Sequence, residues 1–140
     1  MEKVYSSNGC TDYATVVLRV FFGVAFFVAG LDKFMHLDMA GKMFDMLFGD
    51  LGSIMLWLAI LIEVGGGLVL LSGYYTRDTA MLFIPFLLVA TVATWKIGGM
   101  DVTSTLREIL VMNTGGGNTA VNLSYLAGLV ALALLGDVKK

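Results

Sequence analysis

Apolar residues in this chain gather into long runs separated by short polar stretches. Windows at residues 13–31, 52–72 and 79–97 each approach the roughly 20 apolar residues that cross the hydrocarbon core of a bilayer. A fourth, 121–136, is slightly short unless Thr119 and Ala120 extend it, which gives a span at about 119–136. Between the first two windows the pattern becomes amphipathic. Met39, Met43, Met46 and Leu47 recur at helical spacing, with Asp38, Gly41, Lys42 and Asp45 on the opposite face. That pattern predicts a short helix over about 37–48 lying in the membrane interface. Thr105 and Glu108 have capping-box spacing and predict a second short helix over about 105–112, stopped by Asn113 and the glycine run 115–117.

The expected fold is an all-α integral membrane protein. It is an antiparallel four-helix transmembrane bundle, one domain over residues 1–140, with one short helix after the first span and another before the fourth. The polar stretch 1–12 lacks periodicity and reads as a loose tail. The short connection 73–78 makes spans two and three a tight hairpin. Pro85, the single proline, should free the carbonyl of Met81 and bend the third span.

Composition supports the membrane class. Charged residues make up 14% of the chain, against about 25% in a soluble domain. There are too few charges to cover a water-facing surface, and the mean hydropathy of +0.85 agrees. A net charge of −2 gives no reason to expect nucleic acid as a partner; the partners implied are the lipid bilayer and other membrane subunits. The single cysteine, Cys10, excludes an intramolecular disulfide and a Cys-x-x-Cys redox pair.

Two charges fall inside apolar windows: Arg19 in the first and Glu63 in the second. Intramembrane charges are costly and usually find a partner, face a bundle interior or line a functional path. Threading from the terminal side, with depth counted from the window edge on that side, places Arg19 roughly 9 Å deep and Glu63 roughly 13 Å deep. On that threading the two pair with each other. Tyr125 in the fourth span, at roughly 16 Å, joins the cluster, with Thr91 at roughly 18 Å. Two roles fit. In one, the Arg19–Glu63 pair fixes helix register, with Tyr125 as a further hydrogen-bond partner. In the other, Arg19, Glu63 and Tyr125 hold the polar head of a lipid-soluble molecule such as a quinone.

Other chemistry is thin. His36 lies near Met35, Met39 and Met43, and thioethers with an imidazole suit Cu(I); the same methionines equally form the apolar face of the 37–48 helix. Lys33 and Arg77 read as snorkelling anchors at span ends. No serine–histidine–carboxylate set or catalytic carboxylate pair is present, so no self-sufficient catalytic constellation is expected.

The stretch Arg19-Val-Phe-Phe-Gly-Val-Ala-Phe-Phe-Val-Ala-Gly30-Leu-Asp-Lys33-Phe34 resembles the first span of the DoxX family of small four-span membrane proteins. Ile62-Glu63-Val-Gly65-Gly66-Gly67, continuing to Gly73-Tyr-Tyr-Thr76-Arg77, is similar to the family's second motif. The stretch from Asn122-Leu to Ala131-Leu-Ala-Leu-Leu-Gly136 resembles its last span. The resemblance implies a four-helix membrane bundle in the cell membrane with both termini cytoplasmic. It also implies a subunit of a redox or respiratory complex that faces quinone, since some relatives belong to a thiosulfate:quinone oxidoreductase. A purely structural accessory subunit, or a small carrier or scaffold without a redox role, are the alternatives.

Overall fold

A computed structural model of the chain describes residues 9–98 and 118–136. Residues 1–8 of the expected tail, the expected helix at 105–112 and the glycine run at 115–117 lie outside the described residues; residues 9–12, expected as loose tail, are instead the first turn of a helix. Among those described there are helices and no strand. They are α1 (Gly9–Met35), α2 (Leu37–Phe48), a 3-10 turn (Gly49–Leu51), α3 (Gly52–Ser72), α4 (Thr76–Gly98) and α5 (Asn118–Leu135).

Three stretches are long and apolar enough to cross a membrane, Thr11–Met35 in α1, Leu37–Ser72 running from α2 through α3, and Thr76–Ala93 in α4, while the apolar run in α5, Val121–Leu135, is shorter. α1 overruns its apolar window at both ends. Asp12 stands in its first turn and Lys33 in its last, signs that suit the helix dipole. The Thr15 hydroxyl returns to the Thr11 carbonyl at 2.9 Å. An apolar window marks the depth of lipid, whereas the helix runs on through residues that lipid would reject.

α1 and α2 are separated by His36 alone, whose φ of −121° and ψ of 48° redirect the chain. Its amide donates to the Asp32 carbonyl at 3.0 Å, and its own carbonyl accepts from Ala40 at 3.0 Å. α2 then packs on α3. Phe44 is buried with Leu56, Ala59 and Ile60, and Leu37, Ala40 and Phe48 flank it. This packed stripe differs from the methionine stripe picked out by periodicity. Met35, Met39 and Met46 stay more than 70% exposed.

The main core draws on four helices: Phe22 and Phe26 from α1, Leu70 from α3, Ala80, Phe83 and Leu87 from α4, and Leu129 and Leu132 from α5. α1 packs most extensively on α3, and α4 on α5. Phe26 and Phe83 join the two pairs by stacking, with centroids 3.9 Å apart and planes 10° from parallel. Pro85 sits inside α4.

Glycine sets the α1–α3 contact. A Cβ on Gly67 would come within 2.7 Å of the Phe27 amide nitrogen and 2.8 Å of the Gly23 carbonyl oxygen, so the two backbones touch there. A Cβ on Gly30 would meet Val64 and Glu63. Small residues at such crossings let helices approach closely in lipid. Gly30 therefore lies beside Glu63 and Val64, and Gly23 beside Gly67 and Leu71, in an antiparallel register.

Candidate functional site

That register decides which charges meet. One helical turn before Gly23, Arg19 comes level with the turn that follows α3, not with Glu63. Glu63 comes level with Gly30, one turn from the end of α1. Its partner is Lys33, and the Arg19–Glu63 pairing expected from window edges does not form. The expectation failed because α1 and α3 slide past each other by several residues relative to their apolar windows, to the point where Gly67 admits the α1 backbone.

The Lys33 Nζ donates to both carboxylate oxygens of Glu63, at 2.9 Å to Oε1 and 2.7 Å to Oε2. It also lies 3.5 Å from the Ala29 carbonyl oxygen. The Glu63 side chain keeps 7% of its surface and that of Lys33 21%. The lysine stem runs back along α1 toward the bundle interior, so the ammonium reaches a carboxylate that would otherwise stand uncompensated in a buried position. This is snorkelling in reverse. A legible signal existed in the lysine one turn after Gly30, the residue at which α1 and α3 come close.

Arg19 occupies a separate place. A Cβ on Gly73 would overlap its guanidinium, so the head group rests in the space that glycine leaves. Gly73 caps α3 with φ of 80°, a left-handed conformation that L side chains rarely adopt. The Arg19 Nε is buried and has no hydrogen-bond partner.

Tyr125 lies at a third level. Its ring meets Phe21, Phe22 and Phe26 edge-on, with centroids 5.9, 5.5 and 5.9 Å away. Thr91, the other polar side chain expected at this depth, is buried and returns its hydroxyl to the Leu87 carbonyl at 2.7 Å. Arg19, Tyr125 and Glu63 are thus spread along α1: at the turn, at the aromatic cluster, and near Gly30. The structure does not bring the three together as one cluster.

The methionines near His36 form an exposed stripe. The His36 Nδ1 faces the Asp32 carbonyl at 3.0 Å and its carboxylate at 3.1 Å. Among the described residues no three His, Cys, Asp or Glu side chains gather as a metal site. Between α2 and α4 runs an open groove of about 560 Å³, lined by Met46, Leu47, Phe48, Leu88, Val89, Val92 and Ala93. Its lining side chains are all apolar, which suits hydrocarbon and offers no side-chain donor to a carbonyl group.

A family model described as DoxX matches residues 14–95. The matched stretch takes in Arg19, Lys33 and Glu63 and leaves Tyr125 outside. No curated protein and no solved structure matched the chain.

Proposed function

The chain belongs to the DoxX family of membrane proteins, and on that premise we propose that it is a small integral membrane subunit of a quinone-linked redox complex. It contributes a four-span helical scaffold to that complex, and electrons come from a partner. In this reading α5 is the fourth span, α2 lies in the interface and both termini face the cytoplasm. The observation that carries it is the closed Lys33–Glu63 pair. Both carboxylate oxygens are taken by the one ammonium. The charges inside the bundle are thereby spent on holding α1 to α3, which is the work of a scaffold.

The test uses membranes that contain the assembled complex. Lys33→Met with Glu63→Met removes both charges together, and a buried ion pair is often replaceable by apolar residues of similar volume. Co-purification in mild detergent and quinone reduction by the membranes are then measured. Normal assembly with normal quinone reduction is expected. Normal assembly with quinone reduction abolished would show that the pair does chemistry and would sink the scaffold reading.

A quinone-facing role for this subunit has one specific observation in its favour, the apolar groove between α2 and α4. It suits the isoprenoid tail of a quinone, with the head directed to the partner. Val89→Trp, which narrows the groove, should then raise the quinone concentration needed for half-maximal turnover without lowering assembly. An unchanged quinone dependence would leave the groove to ordinary lipid.

A further inference from the structure

We propose that Arg19 is the cationic centre of a lipid site at the α3–α4 turn, which takes the phosphate oxygens of an anionic headgroup. Arg19 has a buried Nε without a hydrogen-bond partner. A guanidinium carries five donors in a fixed fork and cannot shed its charge, so it must be met by an acceptor. Glu63 does not supply one. Its oxygens are held by Lys33, and it lies roughly 15 Å from Gly73 along α3. Asp12 precedes Arg19 by two turns on α1, and Asp78 lies in the first turn of α4. Among the described residues neither forms an ion pair with Arg19.

The surroundings indicate a headgroup. Tyr74 and Tyr75 stand 59% and 70% exposed beside Gly73, and Tyr13 stands 76% exposed near the start of α1. Exposed tyrosines at the end of membrane helices mark the headgroup level. The 23-residue helix α4 begins at Thr76, so its positive dipole end faces the same turn. A planar fork matches two phosphate oxygens in a way a single ammonium does not. Gly73 is part of the device, because any side chain there takes the space of the guanidinium.

The experiment is native mass spectrometry of the full chain in detergent, titrated separately with phosphatidylglycerol, phosphatidylcholine and inorganic phosphate. The wild type should retain phosphatidylglycerol in preference to phosphatidylcholine. Arg19→Gln should weaken that retention by about tenfold or more, the scale of one charge-assisted hydrogen bond. Gly73→Ala, which keeps the arginine but displaces it, should do the same, and Arg19→Lys should fall between. Wild-type retention that does not distinguish the two lipids overturns the proposal, whether or not the variants fold. So does equal retention by wild type, Arg19→Gln and Gly73→Ala. Binding of inorganic phosphate that matches and displaces phosphatidylglycerol overturns the lipid assignment, assigning the site to free phosphate.

Discussion

At the scale of single residues, the two members of the buried ion pair are not equivalent. Lys33 stands near the end of α1 and keeps 21% of its side-chain surface, whereas Glu63 stands in mid-helix with 7%. Removing Lys33 strands a buried carboxylate with no route to water. Removing the charge of Glu63 leaves an ammonium on a flexible stem that swings back to the interface. Lys33→Met should therefore cost about 3–5 kcal/mol, the usual scale for orphaning a buried charge. Glu63→Gln should cost clearly less. Thermal unfolding in a fixed detergent checks the order, and an equal or reversed ranking would contradict it. The sequence makes both charges conspicuous without revealing the partnership. Arg19 and Glu63 stand out because each interrupts an apolar window, while Lys33 lies just past a window edge, where a lysine is ordinary. What selects Lys33 is the offset between α1 and α3, which a few ångströms of glycine-permitted contact determine and no hydropathy profile contains.

At the scale of elements, consecutive helical residues point about 100° apart, so the three glycines 65–67 cannot share a role. Gly67 faces the α1 backbone, Gly66 faces the Phe83 ring, and Gly65 has nothing within 4 Å of its would-be Cβ. Gly67→Ala should lower the unfolding temperature by several degrees, because the obstructing atoms are backbone and cannot rotate away. Gly65→Ala should leave it unchanged or raise it, since alanine in a helix is favoured over glycine by about 1 kcal/mol. A drop at Gly65 as large as that at Gly67 would mean that the run matters for flexibility rather than contact. The run itself is visible in the sequence, but the division of labour needs the neighbours. The same holds for α2. Its methionine stripe is plain from periodicity, yet the stripe that packs is Leu37, Ala40, Phe44 and Phe48, because α3 offers Leu56, Ala59 and Ile60 to that side.

At the scale of the whole molecule, the membrane class follows from composition alone, since 14% charged residues cannot cover a soluble surface. How the helices group does not follow from composition. α1 with α3 and α4 with α5 form two close pairs. They are joined by Tyr125 against the α1 phenylalanines and by Phe26 stacked on Phe83, with Gly66 at the edge of the Phe83 ring. Phe83 is fully buried, so Phe83→Ala should cost about 3–5 kcal/mol. Gly66→Ala alone should also destabilise, because its Cβ would stand 2.6 Å from the ring edge. Combined, the two changes should partly cancel. The added methyl then projects into space the ring has vacated, so the double variant should be less destabilised than the sum of the singles. Neighbouring sites that share a cavity typically couple by about 0.5–3 kcal/mol. A thermodynamic cycle on the four proteins in one detergent measures that coupling. Strict additivity would mean that α3 and α4 do not meet through this ring, and Tyr125 against the α1 phenylalanines would carry the connection between the helix pairs.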